Sequence, residues 1–150
     1  MPLGSAWSVI LVLLLAACSD HRAAFEIEGS AQHSLTLIRV QTFPWEKTAR
    51  YSLVAARLPE CQRRHDLGAG GADSRVEVYS PGNDAWILRQ GKRMYVVETR
   101  TCEGFARLEA EPEGGTGALQ GSFQMRGGQF VFVSTPKAAE GAPPETPAGR

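Results

Sequence analysis

Three histidines, a scatter of carboxylates and a doublet of arginines are the side chains of this 150-residue chain with the means to do chemistry. His21, His33 and His65 are far apart in sequence, and only His21 and His65 stand beside a carboxylate, Asp20 and Asp66. A zinc site needs three or four converging ligands; no spacing here suggests convergence, so neither a metal nor a cofactor is expected. Serine hydrolysis would show as G-x-S-x-G on a strand-to-helix turn, and that motif does not occur. Glu26, Glu28, Glu98, Glu103 and Glu109 offer carboxylates, but none is paired in the way a glycosidase requires. The run Gly68-Ala69-Gly70-Gly71-Ala72-Asp73-Ser74 invites comparison with a phosphate-cradling loop, yet no lysine follows the glycines and a strand, not a helix, comes next. It reads as a flexible connection, and no catalytic residue is assigned.

Two further groups invite a binding role. Arg63-Arg64-His65 is the densest basic cluster. Arginine grips phosphate bidentately, so Arg63 and Arg64 are candidate contacts for anionic head groups; the plainer reading is a solvated strand end. Trp45, beside Pro44, is either core or a partner contact, whereas Trp86 falls mid-strand and is expected in the core. Sixteen basic and sixteen acidic side chains cancel. That balance leaves no basic footprint for nucleic acid, and no such partner is expected.

Near the start, Val9 to Ala17 form an apolar run ending in small residues. A spanning helix needs about 20 apolar residues, so this run has the length of a signal-peptide core instead. It closes as Leu15-Ala16-Ala17-Cys18, which resembles the lipobox of bacterial lipoproteins. Residues 1–8 depart from the usual pattern in having no Lys or Arg. The resemblance implies cleavage ahead of Cys18 and transfer of a diacylglyceryl group to its thiol. One acyl chain anchors only marginally and two or three hold firmly, so the partner it implies is a membrane, gripped through lipid. Ser19 after the lipidated cysteine implies outer-membrane sorting. With Cys18 given to lipid, Cys61 and Cys102 are left as a pair in an oxidising compartment, where a disulfide is expected.

These residues must be positioned by strands. From Phe25 onward, short apolar runs alternate with Gly, Pro, Asn and Asp. The candidate strands are Ala24–Glu28, Ser34–Phe43, Arg50–Leu58, Arg75–Tyr79, Ala85–Gln90, Arg93–Thr101, Leu119–Met125 and Gln129–Ser134. Ser80-Pro81-Gly82-Asn83-Asp84, Gln90-Gly91-Lys92 and Arg126-Gly127-Gly128 are predicted reversals. Glu103–Glu111 is the one candidate helix and could equally be a strand. Apolar residues on both faces of several strands predict a mainly β fold, a small antiparallel barrel or sandwich of about 7–8 strands. Period-2 parity sets Arg57 on the face of Cys61, and Glu98 on the face of Cys102. If the disulfide joins these strands, Arg57 and Glu98 form an ion pair, with Arg39 a further candidate. The organisation expected is a signal peptide over 1–17, a lipidated cysteine and polar tether over 18–24, a β-rich domain over 25–134, and a disordered Pro/Ala/Gly-rich tail over 135–150.

The function expected is that of a non-enzymatic accessory or adaptor, held on the periplasmic side by lipid and bound to another envelope protein. One alternative is a ligand-binding or enzyme-inhibiting module. It is comparable in architecture alone with the small disulfide-bonded β-barrel lipoproteins that inhibit lysozyme, and no match to their inhibitory loop is present. A hydrolase with a non-local site is the other. Mass spectrometry of the protein purified from its envelope should find a mature N-terminus at Cys18 carrying acyl groups. Cys18→Ser should accumulate as an unacylated, uncut precursor.

Overall fold

The computed structural model describes residues 19–136. The signal-peptide run, Cys18 and residues 137–150, which hold most of the expected tail, lie outside the described residues. The described chain folds into ten strands: β1 Ser19–Glu26, β2 His33–Gln41, β3 Thr48–Arg57, β4 Cys61–Gly71, β5 Val76–Gly82, β6 Ala85–Gln90, β7 Arg93–Glu98, β8 Phe105–Leu108, β9 Ala118–Arg126 and β10 Gln129–Ser134. A 3-10 turn, Ile27–Gly29, links β1 to β2, and no α-helix occurs among the described residues. The strands make two antiparallel sheets, ordered β1-β2-β3-β4 and β10-β9-β5-β6-β7-β8. The mainly β expectation holds, as a sandwich and not a closed barrel.

Alternation builds the core. Leu35 and Leu37 on β2, Tyr51, Leu53 and Ala55 on β3, and Val76 and Val78 on β5 point inward with almost no exposure. Trp86, Leu88, Tyr95, Val97, Phe123 and Phe130 complete the cluster from the larger sheet. Each Leu, Val or Phe so buried contributes about 1.5–3 kcal/mol. Trp86 is core, as its place mid-strand predicts.

Three hairpins turn in two residues, as expected. Gly82 pairs with Ala85 across Asn83 and Asp84, both at positive φ (56° and 58°). Gln90 pairs with Arg93 across Gly91-Lys92, and Arg126 with Gln129 across Gly127-Gly128. Such turns match the right-handed twist of the flanking strands.

Four expectations need correction. The tether predicted over 18–24 is strand from Ser19 onward, paired residue for residue with β2 from Ser19↔Gln41 to Glu26↔Ser34. Asp20, Arg22 and Glu26 face water while Ala23 and Phe25 reach the core, so a composition that reads as linker serves as an edge strand. The strand β4 was not foreseen: its glycines weaken a strand pattern, yet Cys61–Gly71 pairs along β3. A register shift opposite Tyr51/Ser52 lets Gly68 take φ +78°. A Cβ on Gly70 would come within 2.6 Å of Gln90 Nε2, so the supposed connection is the place where β4 meets the other sheet. The stretch Glu103–Glu111 holds the short strand β8, not a helix. Finally, Thr135, the first residue of the expected tail, still donates its N–H to Gln120 O at 2.8 Å.

The Cys61–Cys102 disulfide is present, with Cα atoms 5.9 Å apart and a sequence separation of 41. It joins the start of β4 to the loop after β7 and so staples the two sheets. In the chain-entropy picture closing such a loop stabilises by about 4 kcal/mol. Thermal unfolding with and without reductant should show a Tm loss on the order of 15 °C on reduction. The Cys61→Ser/Cys102→Ser double variant should show the same loss and no further response to reductant.

Candidate functional site

Where β1, β3 and β5 end, the two sheets part and leave an open cleft of about 1340 Å³. Its walls include Phe25, His33, Arg57, Asp84, Trp86 and Leu119. His33 and Arg57 face each other across β2 and β3 as a cross-strand pair, while Asp84 reaches them from the β5–β6 turn of the other sheet. An Arg57 Nη donates to Asp84 Oδ1 at 2.6 Å and lies 3.4 Å from His33 Nε2. Thr99 Oγ1 sits 2.8 Å from the same His33 nitrogen and accepts the Trp86 indole N–H at 3.2 Å. Arg57 Nε is buried with no hydrogen-bond partner among the described residues.

The electrostatics follow from the geometry. Arginine can only donate, so Nε2 of His33 must accept and its ring proton belongs on Nδ1. Burial, and then the Arg57 charge, lower the pKa of His33 from 6.5, with Asp84 and Glu28 pulling weakly the other way. The ring is therefore neutral at pH 7. This arrangement is poorly suited to chemistry. The Thr99 hydroxyl is fully buried and closed to a substrate, and the lone-pair nitrogen of His33 is spent on Thr99 and Arg57. What faces solvent is a half-exposed charge pair between aromatic walls, which suits binding.

The residues singled out from sequence are dispersed. Arg57 and Glu98 do not pair. Tyr95, Val97 and Thr99 of β7 and its extension point into the sandwich, so Glu98 points out, while Arg57 points in. Glu98 instead accepts backbone N–H groups from Arg100, Thr101, Glu103 and Gly104 at 2.6–3.1 Å, plus the Thr101 hydroxyl. Burial pushes its pKa up, but these hydrogen bonds outweigh it and hold the carboxyl at about 2. Arg39 is no partner either: it is buried at the far end and donates to Ala72 O at 2.7 Å and Gln41 Oε1 at 2.8 Å.

The Arg63-Arg64 doublet splits, because neighbours on a strand face opposite ways. Arg63 meets Glu103 at 3.3 Å across the disulfide seam. Arg64 lies on the outer face against Ser52 Oγ at 3.0 Å. His65 points inward to Cys102 O at 2.9 Å and stacks on Phe105. Trp45 is exposed, stacked on Phe43. Among the described residues no three His, Cys, Asp or Glu side chains converge as metal ligands. Asp84, His33 and Thr99 were not foreseen together; Asp84 read only as a turn former, and the one available signal was its tolerance of positive φ.

Two pH responses follow. His33 has a folded pKa below its unfolded value of 6.5, so the folded state binds fewer protons. Its contribution to stability is complete above pH 6.5 and is lost as pH falls through the folded value. Unfolding midpoints measured between pH 7.5 and 5 should decline, and His33→Gln should flatten that decline. Glu98 contributes above its ordinary 4.5 and loses its contribution toward pH 2; Glu98→Gln should destabilise at neutral pH and remove that acid limb. Asp84→Asn should cost roughly 1–2 kcal/mol by weakening a charge-assisted hydrogen bond.

Compared with known protein families, curated proteins and solved structures, the chain matches none.

Proposed function

We propose that this chain is a lipid-anchored protein of the bacterial cell envelope, an accessory or adaptor that presents its cleft to another envelope protein and catalyses nothing itself. The observation that carries the reading is the polarity of the sandwich. The described chain enters at Ser19, beside Gln41, and the cleft lies at the opposite end of the same sheet. The ten residues of β3 that separate the two ends span about 33 Å. With Cys18 acylated, as the Leu15-Ala16-Ala17-Cys18 sequence supports, the cleft is turned away from the bilayer. The Cys61–Cys102 bond suits an oxidising compartment, and Ser19 supports sorting to the outer membrane.

Size favours a polypeptide occupant. Pockets for small molecules run to about 300–1,000 Å³; this cleft is larger, at about 1340 Å³, and open along one side. Exposed Leu58 and Leu119 at the same end add apolar surface next to the Arg57–Asp84 pair, the mixture seen where interfaces have anchors. The aromatic walls Phe25 and Trp86 support a second reading, a ligand-binding or inhibitor module.

A photo-crosslinker placed at Leu119 in the full-length chain, expressed in its own envelope, separates the readings. The adaptor reading expects one discrete protein adduct. Its yield should fall at least about ten-fold with Arg57→Glu and should be absent from a crosslinker placed at Lys92, at the other end. A small molecule retained by the purified protein in native mass spectrometry, with no adduct, would support the second reading. Neither an adduct nor a retained molecule would sink both.

A further inference from the structure

The end of the sandwich opposite the cleft carries a feature that the adaptor reading does not use. Between β2 and β3 the loop Thr42-Phe43-Pro44-Trp45-Glu46-Lys47 projects Phe43 and Trp45, which are 39% and 78% exposed. Their rings stack 5.1 Å apart at 11°. No other described aromatic side chain stands so far into solvent.

The loop is held out by buried groups. Glu46 N–H donates to Phe43 O at 3.1 Å, closing a turn with Pro44 at its second position. From below, the Gln41 amide donates to Glu46 O at 2.6 Å and to Pro44 O at 3.4 Å. Gln41 is itself held by Arg39, which is 3% exposed and has no carboxylate partner among the described residues. Burying a guanidinium costs free energy unless its donors are matched; here they are matched to carbonyl oxygens, and part of what they fix is this loop.

Its position indicates what it meets. Ser19 pairs with Gln41, so Ser19, which follows Cys18 in the sequence, and Thr42, one peptide bond after Gln41, stand at the same end of adjacent strands. Adjacent strands lie about 4.8 Å apart. By register Arg75, Lys92 and Arg126 belong to this end too, with Lys47 in the loop; all four are exposed. Asp20, Asp73 and Glu109, with Glu46 in the loop itself, offset that charge, so apolar insertion leads and the cations reach head groups from the rim. Trp, whose ring is apolar at one end and polar at the other, concentrates at membrane–water boundaries.

We propose that the Thr42–Lys47 loop is a membrane-contact element, with Phe43 and Trp45 seated in the head-group layer of the leaflet that holds the lipid of Cys18. This rests on the lipoprotein reading for its source of membrane. Acyl chains alone let a domain swivel; a second, rigid point of contact fixes its tilt and holds the cleft outward.

The test uses the full-length protein purified from its envelope, in vesicles of phosphatidylethanolamine and phosphatidylglycerol bearing brominated acyl chains. Trp86, buried at the far end, is an internal control. Bromolipid should quench the tryptophan emission of the wild type, and Trp45→Phe should lose at least half of that quenching. Phe43→Ser should reduce it several-fold, with an unchanged Tm showing that the fold is intact. Mass spectrometry of the same sample reads Cys18. Acylated Cys18 with no quenching of Trp45 overturns the loop proposal and leaves the anchor standing. Unmodified Cys18 with Trp45 quenched removes the anchor and leaves the loop contact. Shielding of Trp45 that requires a second envelope protein, and not lipid, assigns the loop to that partner and overturns the proposal.

Discussion

A strand at the edge of a sheet carries a row of N–H and C=O groups with no ladder to join, and in a two-sheet sandwich each seam between sheets brings two such edges together. The rest of this structure depends on how one of them, β4, is tied to the larger sheet. Cys61 bonds Cys102, His65 reaches Cys102 O, and the Tyr95 hydroxyl donates to Leu67 O at 2.9 Å. Further along, Gly70 lies under the side chains of Gln90 and Arg93, which a Cβ there would displace. Gly70, one of the glycines that make β4 hard to see in the sequence, is where the strand comes close to the larger sheet. The opposite seam is closed differently, by Phe25 packed against Phe132 and Trp86 at 4.7 and 5.5 Å.

The disulfide seam needs its second cysteine in an unusual place. Cys102 sits at φ 61°, a conformation that costs a non-glycine residue about 1–2 kcal/mol. The Glu98 carboxylate offsets that cost by gathering the backbone N–H groups of the loop that follows it. Gly104 completes the arrangement, since a Cβ there would meet the Glu98 side chain at 2.6 Å. One carboxylate thus shapes the loop, the loop places the thiol, and the thiol locks β4. At the cleft end, Arg57 and Asp84 bridge the sheets beside the apolar contact of Phe25 with Trp86.

The molecule is polar end to end. Its two buried or half-buried arginines on the inner face of the small sheet mark the two ends: Arg39 braces the loop of Phe43 and Trp45, and Arg57 spans the cleft. Core apolar side chains fill the middle. Such a layout suits a domain that has one surface for attachment and another for recognition.

Much of this was legible in the residues. Alternation of apolar positions marks most of the strands, Asn83-Asp84 and the Gly91 and Gly127-Gly128 turns mark three hairpins, and Trp86 in mid-strand marks core, because these signals act over a few neighbouring residues. The pairing of Cys61 with Cys102 was reached by assigning Cys18 to lipid. Contacts across the seams were not legible. Parity says which face of its own strand a side chain occupies, but not which strand, or which sheet, lies opposite. For that reason Arg57 was matched to Glu98 when it meets Asp84, and Ser19–Ala24 read as tether when it pairs with β2. Local sequence determined the strands and their turns; strand order and sheet stacking, set by how the whole apolar surface is buried at once, decided which polar groups meet and where the cleft opens.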